Sequence, residues 1–260
     1  PVSSGRWVPA LEFENLRPGG KPSDTPLPDY LKPFQEFNTP IAERIRQSDD
    51  TRFWLRQHLR AGGLKHPGYG HAFTKWWDLY SKTNPEYFAL NKYGQREPEL
   101  YDDPKGKKPE WSARDKMFVK ICPSNEGVAE QILGNWKKAG MPQKINVCMN
   151  DMNFGFCRCE KCMELDGHKT GDFPDTHVRG VTDRYVYLAN KIAREARRLR
   201  PDAEVVMYAY DEALMPPRFQ KVEENVLVGV VPTSLELTEI ESLFDGWRKA
   251  GARKFAMRPN

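Results

Sequence analysis

Residues 226–257 read VLVGVVPTSLELTEIESLFDGWRKAGARKFAM, and this stretch decides the fold class. The run VLVGVV at 226–231 is apolar or glycine throughout, which fits a strand buried on both faces better than a strand with one wet face. A segment with helical spacing follows at 235–250, and a second short strand at 254–257. A strand that returns to its sheet through a helix makes a parallel pair.

The same alternation extends towards the N-terminus. A strand at 205–209 is preceded by a long helix at 182–199, in which Tyr185, Leu188, Ile192 and Ala196 form one apolar stripe at spacings of three and four, and Pro201 ends it. Before it lie a strand at 145–149 (INVCM), a helix at 126–139 carrying Val128, Ile132, Leu133 and Trp136, and a strand at 117–122 (MFVKIC). Further upstream, 43–46 reads as a first strand. A helix capped by Ser48 or Asp49 then runs through Phe53, Leu55 and Leu59 to Gly62 and Gly63, and a short helix is expected at 74–82. Residues 84–114 are polar and too long for a routine connection. Residues 1–40 form an extended Pro- and Gly-rich lead-in, which leaves 41–260 for the main domain.

About seven strands in a βα repeat point to an α/β fold, specifically a (β/α)8 TIM-barrel-like domain cut off near its seventh strand. A doubly wound open sheet is the rival. No GxGxxG follows a strand and no GxxxxGK[ST] occurs, so neither dinucleotide nor P-loop chemistry has support. A barrel needs about 250 residues. With the lead-in and the polar loop subtracted, the chain is expected to be a piece of a larger, exported protein.

Composition narrows the function classes. Of the 260 residues 39% are hydrophobic and only five are cysteine, which suits a packed core and excludes a disulfide-dense mini-fold. Forty basic against 36 acidic residues leaves a surplus of four, too small and too dispersed for nucleic-acid binding or a polybasic membrane patch. No stretch approaches the roughly 18 apolar residues of a membrane span, so no membrane insertion is expected.

In a βα barrel the chemistry gathers at the C-terminal ends of the strands. Three of those ends are unusual: Cys122-Pro123-Ser124-Asn125, Asn150-Asp151, and Tyr208-Ala209-Tyr210-Asp211-Glu212. An adjacent amide and carboxyl could share one substrate, Asp151 protonating a leaving oxygen while Asn150 orients a neighbouring group; the alternative is that the pair caps a turn. Cys157, Cys159 and Cys162 follow as CxCxxC, a compact thiolate array. It fits a structural zinc, with His168, His177 or Cys148 as fourth ligand, or a disulfide such as Cys157 with Cys162. Either would pin the loop after Asp151. His66 and His71 bracket a Gly-rich loop, where His71 suits a sugar hydroxyl, and Tyr69, Phe73, Trp76, Trp77 and Tyr80 suit either stacking on pyranose rings or helix packing.

Gly70-His71, the segment 85–89, Asn150-Asp151 ahead of CRCEKC, and Ala209-Tyr210 before Pro216-Pro217 resemble, in order and spacing, the glycoside-hydrolase-like barrel family catalogued as domain of unknown function 4838. The resemblance spans about 44–231. It implies a TIM-barrel carbohydrate-active protein, secreted or periplasmic in bacteria that degrade complex glycans, similar in part to endo-β-N-acetylglucosaminidases and related to α-glucuronidases and β-hexosaminidases. Transferred to this chain, it makes Asp151 the general acid and Asn150 the residue that orients a substrate acetamide, with Asp211 or Glu212 as the second carboxyl of a conventional mechanism. The expected site is therefore Asp151 and Asn150 for catalysis, and His71, Tyr69, Trp76, Asn125, Tyr208, Tyr210 and Glu212 for an oligosaccharide or polysaccharide. No cofactor is required, and the cysteines are expected to hold either a structural zinc or a disulfide. The competing readings are a non-catalytic carbohydrate-binding barrel that uses the aromatics at 69–80, and a metal-dependent hydrolase that uses the cysteines and histidines.

Overall fold

The computed structural model describes residues 70–99, 111–168, 180–232 and 237–257. All of these but Met257 belong to Tyr69–Ala256, one of two units into which the chain divides. The expected lead-in at 1–40, the strand at 43–46, the helix after it, and Tyr69, His66 and His177 lie outside the described residues.

In chain order the elements are α1 (Trp76–Tyr80), α2 (Ala113–Phe118), α3 (Glu126–Lys138), β1 (Lys144–Asn146), α4 (Glu160–Leu165), α5 (Thr182–Leu199), β2 (Glu204–Ala209), β3 (Val226–Val230), α6 (Leu237–Lys249) and β4 (Lys254–Met257). The four strands form one sheet in the order β1-β2-β3-β4. β1 and β2 pair in parallel with Ile145 opposite Val205, and β2 and β3 in parallel from Val205 opposite Val226 to Ala209 opposite Val230. The α/β class with a parallel sheet therefore stands, and each strand's neighbour is the next one in the chain.

Both faces of the sheet are covered, as the apolar runs require. On one face Val205, Met207, Ala209, Val226, Val228 and Val230 pack with Leu188, Ile192 and Ala196 of α5 and with Val128, Ile132 and Trp136 of α3. On the other, Val206 and Tyr208 pack with Cys148 and Val231. The stripe expected on α5 is the buried stripe, because residues three and four apart share one side of a helix.

The strand expected at 117–122 is not one. Ser112 and Asp115 form a reciprocal capping box, the Asp115 amide donating to Ser112 Oγ at 3.1 Å and the Ser112 amide to Asp115 Oδ2 at 2.9 Å. That cap starts α2, which absorbs Met117 and Phe118. Only Ile121 reaches a strand-like bridge, antiparallel to Phe88. The extended remainder, 119–122, is tied to the ends of two other segments by Asn150. The Asn150 side-chain amide donates to the Val119 carbonyl at 2.8 Å, and its oxygen accepts from the Phe73 amide at 3.1 Å. Asn146 Nδ2 donates to the Gly70 carbonyl at 2.7 Å and the Ala72 amide to the Cys148 carbonyl at 2.9 Å, so 70–73 runs beside the extension of β1.

β2 and β3 are joined without an α-helix. A 3₁₀ turn, Asp211–Ala213, leads into an irregular stretch held by the buried Asp183 of α5, whose carboxylate accepts from the amides of Arg218, Phe219 and Gln220 at 2.7–2.9 Å. Among the described residues no helix is long and apolar enough to cross a membrane.

The helices that feed β1 and β4 stop alike. After α3, Gly140 has φ 83° and the Met141 amide returns to the Trp136 carbonyl. After α6, Gly251 has φ 107° and the Ala252 amide returns to the Trp247 carbonyl. Both are left-handed caps, which a Cβ disfavours. At Gly251 an added Cβ would also meet the Val222 carbonyl oxygen at 2.9 Å. Gly251→Ala should therefore destabilise the domain by about 1–2 kcal/mol, read as a lower urea midpoint at unchanged m-value.

Candidate functional site

The parallel register fixes where polar side chains can gather. Asp151 lies five residues past the end of β1 and Tyr210 one residue past β2, so the carboxyl ends of two adjacent parallel strands deliver them to the same edge of the sheet. The Tyr210 hydroxyl donates to Asp151 Oδ1 at 2.9 Å, and the Met152 amide donates to the same oxygen at 2.9 Å. His71 reaches this group from the segment beside β1. Its ring lies 5.8 Å from that of Tyr208 and 6.5 Å from that of Tyr210. His71 Nδ1 is 2.6 Å from the Met149 carbonyl. A carbonyl only accepts, so Nδ1 carries the hydrogen and Nε2 is left for other partners.

Four expected site residues, Asp151, Tyr210, Tyr208 and His71, are thus brought together. Trp76, Asn125 and Asn150 make other contacts. Trp76 is only 6% exposed and is packed edge-on against Phe73 and Tyr80. An indole buried to that degree is a core residue and offers no face to a pyranose. Asn125 precedes α3 and its side chain donates to the Glu86 carbonyl at 3.0 Å, joining that helix to the 3₁₀ turn Pro85–Tyr87. Glu212 sits in the 3₁₀ turn after Tyr210, its carbonyl accepting from the Gly180 and Val181 amides. Asn150, expected to orient an acetamide, has both ends of its amide engaged by main chain. It ties the segments 70–73 and 119–122 to the residues that follow β1.

Asp151 titrates below the ordinary carboxylate range. Burial alone would raise its pKa, but the Met152 amide, the Tyr210 hydroxyl and the nearby His71 and Lys120 outweigh that. A general acid must keep its proton near neutral pH, so this environment prepares Asp151 to act as the ionised carboxylate instead. Backbone strain marks the same place. Met152 has φ 79° and Asp211 φ 52°, the left-handed region that side chains avoid, and these residues directly follow Asp151 and Tyr210.

Sequence reasoning passed over one residue at this edge, Lys120. It is 2% exposed, and its ammonium donates to the carbonyls of Asn150, Asp151 (2.6 Å) and Met152 (2.7 Å), with the Phe156 ring 5.0 Å away. Burial lowers its pKa to about 7 against the pull of Asp211 and Asp151. The signal in the sequence was a lone charge inside the apolar run MFVKIC.

A second cluster lies two residues further along the same segment. Cys122, Cys157, Cys159 and Cys162 place their sulfurs within 4.8 Å of one another. The Cys122 sulfur is 3.5 Å from Cys157, 3.7 Å from Cys159 and 3.9 Å from Cys162. The fourth member is therefore Cys122, and neither Cys148, which turns to the Val206 carbonyl across the sheet, nor His168 belongs to the four-sulfur group. No two of the five cysteines are bonded to each other. The hydrogen bond from Cys157 lowers the Cys122 pKa to about 6, and Cys159 is likewise pushed down by its contact with Cys122, while Cys157 and Cys162 are pushed up. Two guanidiniums border the group. Arg96 donates to the Phe88 carbonyl at 2.5 Å and reaches Cys122, and the fully buried Arg184 donates to the Cys157 carbonyl while paired with Asp166 at 2.6 Å. Four convergent sulfurs with cations around them could hold a soft divalent metal ion.

Fold and site together define a parallel α/β protein with a carboxylate, phenol and imidazole at the carboxyl edge of its sheet and a four-cysteine cluster behind them. The chain belongs to the family described as Domain of unknown function (DUF4838), whose model matches residues 32–250, in agreement with the motif order read from the sequence. No curated protein and no solved structure matches it.

If the Tyr210 hydroxyl holds Asp151 ionised, Tyr210→Phe should raise the Asp151 pKa. Carboxyl carbon NMR titration should record an upward shift of about one unit, and an unchanged midpoint would remove Tyr210 from the electrostatics of the site.

Proposed function

We propose that the chain is the core of a glycoside hydrolase acting on an oligosaccharide or polysaccharide, built as a β/α barrel with Asp151 at the reacting centre. The observation that carries this reading is the joint placement of Asp151 and Tyr210 past the carboxyl ends of neighbouring parallel strands, where βα-barrel enzymes keep their chemistry, with His71 beside them. Strand neighbours in unbroken chain order support the barrel over a doubly wound sheet, whose strand order reverses.

Glycosidic cleavage by two carboxyl groups needs one ionised and one protonated. The environment of Asp151 suits the ionised member, as nucleophile or as base on a water, and the protonated member then falls to Asp211 or Glu212 just past Tyr210. With the Asn150 amide engaged by main chain, orienting an N-acetyl group of the sugar falls to another residue. As the family resemblance implies, such an enzyme would work outside the cytoplasm, where polymeric glycans are met.

The cysteine cluster is read as a structural zinc site. Four thiolates around zinc at about 2.3 Å stand about 3.8 Å apart by tetrahedral geometry, and the three spacings from Cys122 bracket that value. When bound, zinc would neutralise half of the four thiolate charges and cross-link 122 to 157–162; Arg96 and Arg184 would offset the remainder.

Two experiments test these readings. Asp151→Asn should reduce release of nitrophenol from the responsive member of a panel of 4-nitrophenyl glycosides by at least about 1,000-fold while oligosaccharide binding persists; undiminished turnover would sink the assignment. Purified protein should carry about one zinc per chain, and Cys122→Ser should lose it and melt lower, as chelation should. Full zinc retention in Cys122→Ser would show that the metal, if present, is held elsewhere.

A further inference from the structure

We propose that Lys120 is a positioning residue for Asp151: by binding three successive carbonyls it fixes the direction from which the Asp151 carboxylate meets the substrate. The inference rests on the reading of Asp151 given under Proposed function, and it adds a residue that neither the sequence motifs nor the family match assigns.

The geometry is that of a clamp. An ammonium has three N–H donors, and those of Lys120 meet the carbonyls of Asn150, Asp151 and Met152, leaving none over. Three consecutive carbonyls rarely converge on one point, because their dipoles repel. Here the chain manages it by turning through Met152 at φ 79°, and the same turn carries the Met152 amide onto Asp151 Oδ1. Without the cation the three carbonyl oxygens would face one another with no donor between them. The turn would then open and take the Met152 amide away from the carboxylate.

The base of the clamp is rigid. The Lys120 carbonyl accepts from the Ala89 amide, Ile121 bridges Phe88, and Cys122 stands in the sulfur cluster. Asn150, the first of the clamped residues, is held from the other side by Phe73 and Val119. Asp151 is thus the one acidic side chain on a turn whose backbone is fixed from two directions. Guanidinium is planar and delivers its hydrogens as a fork, so arginine would keep the charge at 120 without matching three carbonyls that converge on a single atom.

The test uses Lys120→Met, which keeps length and removes the donors, and Lys120→Arg, which keeps charge and alters geometry. With the responsive 4-nitrophenyl glycoside, Lys120→Met should lower kcat about 100-fold with KM within about threefold, the signature of a misaimed reacting group rather than lost binding. Lys120→Arg should fall between it and the parent. Carboxyl carbon NMR should show the Asp151 midpoint rising by about one unit in Lys120→Met, and amide exchange at Met152 and Asn153 should quicken in both variants. A role in stability alone would lower the melting temperature and leave the Asp151 midpoint and kcat where they were, and that result overturns the proposal. Should Lys120→Met fail to fold, Lys120→Arg decides: parental kcat together with parental exchange at Met152 overturns it, and loss of both supports it. Should the parent protein cleave no glycoside, the glycosidase reading falls, while the NMR and exchange measurements still decide whether Lys120 sets the Asp151 carboxylate.

Discussion

An ammonium taken out of water must find acceptors, and the acceptors that Lys120 finds are the carbonyls of the turn that carries Asp151. Desolvating a charge costs several kcal/mol unless hydrogen bonds replace the lost water. The turn therefore cannot be rebuilt independently of 119–122. Much else hangs on that four-residue segment: Val119 accepts from Asn150, Lys120 holds the turn, Ile121 bridges Phe88, and Cys122 supplies the fourth sulfur. The site and the cysteine cluster are two ends of one strut.

The sheet was readable because its strands obey the rule for parallel sheets. VLVGVV and VVMYA are apolar on both sides because both sides are covered, and α5 shows its stripe because one side of it meets that sheet. The reading failed at 117–122, where local and tertiary signals compete. MFVKIC looks like a strand by composition, but the Ser112 and Asp115 box lies just upstream and captures Met117 and Phe118 for a helix. A capping box outranks an apolar run when the run is short.

The site was half legible for a related reason. Residues close in sequence, such as Asn150 with Asp151 or the three cysteines at 157–162, announce themselves by spacing. Cys122 lies 35 residues from Cys157, and Lys120 lies 31 from Asp151, and those separations are set by the path of the chain through helix and strand. The aromatic run at 73–80 was ambiguous between sugar platform and core until burial placed Phe73 and Trp76 in the core. Roles were harder still. Asn150 and Asp151 are adjacent, yet alternation turns one inward to main chain and leaves the other at the sheet edge, so a shared catalytic task does not follow from adjacency.

The left-handed conformations of Met152 and Asp211 carry a different consequence. Each holds about 1–2 kcal/mol that the fold forgoes relative to glycine at the same place. Glycine there would relax the backbone and give a more heat-resistant molecule, but it would also free the two turns on which Asp151 and the carboxyls after Tyr210 are aimed. Thermal robustness and accurate aim thus pull on the same two residues in opposite directions, and a lineage under pressure for heat tolerance would have to find its stability elsewhere to keep the aim.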